Sequence, residues 1–314
     1  MDDRDLLATA AELALSYVGS VDDRPTTPTA EALAALAAFD EPLSDTGRDP
    51  ADTLRLLADV GSPATVPTTG GRYFGFVTGA TYPVAMGSAW LAAAWDQNAA
   101  LPVMSPVAAR LHEVVRGWLV DLLALPADTG LAFVTGATMA NAACLAAARD
   151  ALLARMGWDV QADGLFGAPP LPVVIGERAH STLAKSLGLV GLGRTRVHVV
   201  PADDQGRLHA DRLPDVAGPV LVCAQAGEVN TGAFDPFDVV ADWLAERGGW
   251  LHVDGAFGLW ALADPTRSHL VAGLERADSW ATDGHKWLNV GYDCGLAFVR
   301  RLADLRRTFT AAAG

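Results

Sequence analysis

Val220-Leu221-Val222-Cys223, a helical stretch from Pro236 to Glu246, and Trp250-Leu251-His252-Val253 closed by Asp254 read as a strand, a helix and a second strand. The same alternation runs outward from there. Upstream come Leu131 to Val134, a helix from Met139 to Met156, Val173 to Ile175, a helix from Ser181, and Val197 to Val200. Downstream come Ser279 to Thr282 and Gly295 to Val299. Short apolar runs separated by helices predict an α/β fold with a mostly parallel sheet flanked by helices on both faces. In such sheets ligands sit at the carboxyl ends of the strands, so the residue after each run is where chemistry is sought.

The flanking sequence sets the organisation. Residues 1–65 read as a helical N-terminal arm, with helices at Leu6 to Tyr17 and Ala30 to Phe39, and residues 66–314 as the larger unit. A further helix opens at Ser105-Pro106, and its apolar positions Val107, Leu111, Val114, Val115, Trp118, Leu119 and Leu122 predict one face packed on a core.

With 314 residues, 51% of them hydrophobic, the chain has the composition of a globular protein. A formal charge of −14 argues against nucleic acid or an anionic membrane surface as partner. Neither a signal-peptide pattern nor a membrane-length apolar run is present, and a cytoplasmic location is expected. Cys144, Cys223 and Cys294 lie in apolar segments and are read as buried thiols rather than disulfides or a metal cluster.

One count bears on chemistry. Of 23 basic residues only Lys185 and Lys286 are lysine. Either basic residue supplies a solvated charge, but an imine to an aldehyde needs a primary amine that can lose its proton. Lys185 lies in a helical run and has an ordinary surface explanation. Lys286 follows a strand, in Asp283-Gly284-His285-Lys286-Trp287.

The other strand ends offer matching roles. Gly136-Ala137-Thr138 lies between a strand and a helix, where backbone amides can approach a phosphate, although a plain turn has the same pattern. Asp254 could hold the nitrogen of a pyridine ring protonated or serve as a turn aspartate. Ala256 would present a methyl to such a ring. His180 would stack on its other face or be a structural histidine.

Together these residues carry a resemblance. Arg72-Tyr73-Phe74-Gly75-Phe76, Asp96-Gln97-Asn98, Ser105-Pro106, Ala179-His180-Ser181, Asn230 to Pro236, His252 to Phe257, Asp283 to Leu288 and Tyr292 to Gly295 follow one another in the order found in one group of enzymes. The chain resembles the pyridoxal-phosphate-dependent amino-acid decarboxylases that include the aromatic-amino-acid and glutamate decarboxylases.

The resemblance implies the large domain of an aspartate-aminotransferase-type fold (fold type I), a homodimer with shared active sites, an amino-acid substrate, and pyridoxal 5′-phosphate as cofactor. It implies that Lys286 carries the cofactor as an imine, Asp254 pairs with its ring nitrogen, Ala256 touches the ring and His180 stacks on it. Gly136, Ala137 and Thr138 would hold the phosphate, with Asp283 or His285 beside it, though a carboxylate at Asp283 fits a phosphate poorly. Glu228 departs from the small hydroxyl residue expected at its turn. Tyr73, Phe74, Thr78 and Gln97 fall in the segments that resemble the substrate region. Relatives continue past the final strand with a lid and a small C-terminal domain, so the resemblance also implies that these are absent here and that turnover is impaired. Three other readings stay open: a transaminase or other lyase on the same cofactor, a cofactor-binding protein with little activity, and a metal hydrolase built on His252, Asp254 and His285.

Overall fold

The computed structural model describes residues 2–43 and 45–310. The chain divides into two units, Met1–Ala80 and Thr81–Gly314.

The first unit is helical. Its helices are α1 (Asp3–Ser20), α2 (Ala30–Ala35) and α3 (Pro50–Leu56), and each starts at a side-chain cap, from Asp2, Thr29 and Asp49. Arginines tie the connecting segments together. Arg24 stacks on the Tyr17 ring and donates to Ser62 O at 2.7 Å, while Arg72 reaches back to Asp22 O and Arg24 O. Arg72 lies past the 1–65 stretch read as an arm, and the compact unit runs to residue 80.

The second unit holds a seven-stranded sheet: β1 (Gly130–Val134), β2 (Val173–Gly176), β3 (His198–Val200), β4 (Leu221–Gln225), β5 (Trp250–Asp254), β6 (Ser279–Asp283) and β7 (Gly295–Val299), in the order β1-β7-β6-β5-β4-β2-β3. Pairing is parallel from β3 through β6, and β7 runs antiparallel to both of its neighbours, β6 and β1. Six strands therefore point one way. Their carboxyl ends line a single edge of the sheet.

The helices of this unit are α4 (Pro83–Trp95), α5 (Pro106–Leu122), α6 (Ala137–Arg155), α7 (Val160–Asp163), α8 (Ser181–Leu189), α9 (Phe237–Ala245), α10 (Gly284–Trp287) and α11 (Leu302–Phe309). Successive strand residues alternate between two cores. Val222, Val253, Trp280 and Phe298 pack with Phe237, Val240 and Leu244 of α9, while Leu221, Cys223, Ala281 and Ala297 pack with α6 and α8. The alanine content of α6 has a packing cause: Ala140, Cys144, Ala147 and Ala148 are wholly buried against the small residues of β6 and β7. Cys144 Sγ lies 3.5 Å from both Trp280 O and Phe298 O. A larger residue at Cys144 or Ala147 would lever the helix off the sheet, at a cost of ~1–3 kcal/mol for overpacking.

Two approaches fix the edge where α6 begins. A methyl added at Gly295 would lie 2.5 Å from the Gly136 backbone, so only glycine lets the start of β7 touch this turn. Gly136 and Gly295 thus bring the N-terminus of α6 directly over the sheet.

α5 departs from expectation. Ser105 caps it and Pro106 takes its first position, as its sequence predicts, but only Leu119 and Val120 are buried. Val107, Leu111, Trp118 and Leu122 remain 41–68% exposed. The apolar stripe is there, but most of it is left uncovered by the described residues. α4, almost entirely apolar, likewise buries none of its residues.

Candidate functional site

Asp254 ends β5 and Asp283 ends β6, side by side on the carboxyl edge. Ala256 fastens the two strand ends: its carbonyl accepts Asp283 N at 3.0 Å and Thr282 Oγ1 at 3.3 Å. Immediately after β6 the short α10 carries His285 and Lys286 back over this edge.

Asp283 is the hub. Its Oδ1 accepts Ala137 N at 2.6 Å, and its Oδ2 lies 3.1 Å from Lys286 Nζ. His285 Nε2 is 3.5 Å from Oδ1, His285 Nδ1 accepts Cys294 N at 3.2 Å, and Tyr292 stacks on the imidazole at 4.1 Å. Burial lowers the pKa of His285, against the pull of Asp283. Asp283 thus joins one amide at the α6 N-terminus to the lysine ammonium. The amides of Thr138 and Met139 at the same end have no carbonyl one turn back, as at any helix start.

Asp254 is 6% exposed. Burial raises its pKa, while Asn141 Nδ2 at 3.0 Å, the Ala256 amide at 3.3 Å and the nearby charges of His180 and Lys286 oppose the rise. The donors that touch Asp254 within the chain are thus neutral. Its carboxylate faces a cleft that it shares with Gly176, Arg178, His180 and Gln225.

His180 is also the N-cap of α8: its Nδ1 accepts Thr182 N at 3.3 Å and lies 2.7 Å from Thr182 Oγ1. It thus does structural work while lining the cleft with Asp254. Thr138 is tied to the same helix through Ser186 Oγ, which donates to Thr138 O at 2.9 Å.

Of the residues expected at the substrate, Tyr73, Phe74 and Thr78 belong to the first unit and Gln97 to the second. Thr78 Oγ1 donates to Gly75 O, Phe74 is 92% exposed, and Gln97 Nε2 donates to Trp95 O. Lys185 is exposed on α8.

Glu228, the odd residue of its turn, has a local explanation. Its carboxylate receives Asn230 N, Asn230 Nδ2 and Thr231 N at 2.7–2.9 Å, and although burial raises its pKa these bonds lower it overall. The metal reading finds no ligand set. His252 directs its two nitrogens to Ser279 and Asn141, and among the described residues no group of three or more His, Cys, Asp or Glu is arranged to hold a metal.

Sequence reasoning missed Asn141 and Ser279. Their signal was present: Asn141 is a lone amide in the run Ala140-Asn141-Ala142-Ala143, one turn after Ala137.

Comparisons with known proteins point the same way. The chain is 37% identical over 155 residues to the cysteine sulfinic acid decarboxylase of Rattus norvegicus, covering 47% of this chain and 31% of that protein. It is 25% identical over 308 residues to the aromatic-L-amino-acid decarboxylase of Bacillus atrophaeus, covering 96% of this chain and 62% of the relative. The matched segments thus span from 31% to 62% of the length of these relatives. The crystal structure of Oryza sativa TDC with PLP and tryptamine superposes with a TM-score of 0.88 at 26% identity, over 99% of this chain and 66% of that one. A lysine and two carboxylates gathered at the strand ends of this fold agree with a family match described as "Pyridoxal-dependent decarboxylase conserved domain" over residues 65–314, and the chain belongs to that family.

Proposed function

We propose that this protein binds pyridoxal 5′-phosphate at the carboxyl edge of its sheet and removes the carboxylate of an amino acid as carbon dioxide, leaving an amine. The carrying observation is the convergence of Lys286, the buried Asp254 and the α6 N-terminus on one cleft edge. The donor set fits the group: a primary amine for its aldehyde, a buried carboxylate for its ring nitrogen, and open helix amides for its phosphate. Bound there, the cofactor supplies the electron sink for the bond that breaks.

The chain's own residues supply the rest. Lys286 Nζ is the attachment point, and Asp283 holds its ammonium in place until the proton leaves. Asp254 would hold a proton on the ring nitrogen, since burial in low dielectric makes a cationic partner there favourable. His180 and Ala256 would contact the ring. Thr138, beside Gly136 and Ala137, takes the phosphate, while His285 braces the lysine turn against Tyr292. Tyr73, Phe74, Thr78 and Gln97 are proposed to approach the substrate side chain.

The working unit in this reading is a homodimer. α4 buries none of its residues, and Leu111 and Trp118 of α5 stand exposed, which leaves apolar surface for a second copy. Three free thiols and the absence, among the described residues, of a helix long and apolar enough to cross a membrane go with a cytoplasmic location. The test is purified protein supplemented with the cofactor, followed by a screen of amino acids for carbon dioxide release. A keto acid instead of carbon dioxide and an amine would assign a transaminase.

A further inference from the structure

Behind Asp254, on the side away from the cleft, lies a chain of four buried side chains. Asn141 Nδ2 donates to Asp254 Oδ2 at 3.0 Å, and His252 Nε2 lies 2.8 Å from Asn141 Oδ1. His252 Nδ1 lies 2.9 Å from Ser279 Oγ, which accepts Trp250 Nε1–H at 2.9 Å. Asn141, His252 and Ser279 are wholly buried, and Trp250 almost so.

With Asp254 ionised and His252 neutral, one direction satisfies every bond of the chain. An indole N–H only donates and an ionised carboxylate only accepts. Ser279 receives the indole proton and turns its own toward His252 Nδ1. The imidazole then carries its proton on Nε2 and donates to Asn141 Oδ1, which leaves the Asn141 amide N–H for Asp254. Burial depresses the His252 pKa to about 3, so this imidazole is neutral. That neutrality matters. A cationic imidazole here would neutralise Asp254 from behind, and nothing would then call for a proton on the cleft side.

We propose that Asn141 and His252 are positioning residues that act through Asp254 on a heteroaromatic ring nitrogen, orienting the carboxylate by dipoles alone so that its charge is matched only by a protonated ring. The proposal rests on the reading that Asp254 faces the cofactor's nitrogen. It assigns a role to two residues that lie behind Asp254 rather than in the cleft. Such a role separates from simple core packing, because the effect depends on whether the ligand has a ring nitrogen.

The test uses the full chain and two probes, pyridoxal 5′-phosphate and its 1-deaza analogue, in which a C–H replaces the ring nitrogen while aldehyde and phosphate stay. Affinity for each is read by fluorescence titration, and folding by melting of the cofactor-free protein. Asn141→Ala should fold, since alanine suits this helix, and His252→Gln retains a donor near the Nε2 position. Expected are a wild-type preference for the natural cofactor, a loss of about tenfold in that affinity in Asn141→Ala, the scale of one pKa unit on the pair, and at most twofold change for the deaza probe. His252→Gln should keep most of the preference that His252→Phe loses. Parallel shifts for both probes, or no shift in folded Asn141→Ala, overturn the proposal while leaving the cofactor reading intact. A wild type that takes up neither probe, or that binds both equally, overturns the reading of Asp254 and the relay with it.

Discussion

Asp283 Oδ2 stands 3.1 Å from Lys286 Nζ, and the other oxygen of the same carboxylate receives the Ala137 amide, so one side chain joins the attachment lysine to the start of α6. Asp283→Asn keeps an oxygen for Ala137 and removes a negative charge from a helix N-terminus proposed to take a phosphate. Affinity for pyridoxal 5′-phosphate should rise roughly two- to fivefold, the scale of one charge at a helix end. Unchanged or weaker binding in a fluorescence titration would count against the placement of the phosphate.

Lys286→Ala should abolish the visible absorbance that the wild type gains with the cofactor, and Lys185→Ala should retain it. Loss in both variants, or in neither, would remove Lys286 as the attachment point. This contrast was legible in the sequence, because arginine has replaced lysine almost everywhere else.

His252 gives a pH prediction with a definite sign. Its folded pKa of about 3 lies below its ordinary value of 6.5, so the unfolded chain binds the extra proton between those limits. The stability due to the neutral imidazole is fully present above pH 6.5 and falls as pH drops toward 3, by at most about 1.4 kcal/mol per pH unit. Asp235 works the other way: burial pushes it to about 6, so its protonation favours the fold in acid. Comparing urea midpoints of wild type and His252→Gln at each pH cancels that term. The wild-type advantage should shrink from pH 7 to pH 4.5; a constant difference would contradict the assignment.

Gly295→Ala places a methyl 2.5 Å from the Gly136 backbone. Expected is a loss of ~1–3 kcal/mol in stability, with weaker cofactor binding because the turn before α6 must move. A melting temperature equal to the wild type's would show that the turn yields freely.

Trp118 is 68% exposed on a helix whose sequence predicts burial. Trp118→Asp should turn a sedimenting dimer into a monomer without lowering its melting temperature by more than a few degrees. A wild-type monomer would refute the proposed association.

How much was readable follows from these residues. The strands β4, β5, β6 and β7 announced themselves as short, mostly apolar runs, because a strand between two helical layers is buried on both faces, and Asp254 and Asp283 fell at the ends of β5 and β6 with Lys286 just beyond. The reversal of β7 was not readable, since hydropathy carries no direction. The bond between Asp283 and Ala137 was not readable, because the two lie 146 positions apart and Ala137 bonds through its backbone, which leaves no side-chain signature. α5 showed its stripe but not its occupant, and periodicity does not say whether the covering surface belongs to the same chain.

The bond from Ala137 to Asp283 also sets an order of events during synthesis. The helix end that begins the site emerges long before the strand that completes it, and until β6 is made its leading amide has only water. Contacts so distant along the chain form late and slowly. Cofactor capture should therefore mark the close of folding rather than guide its start, and a ribosome-bound chain that stops short of Asp283 should hold no cofactor.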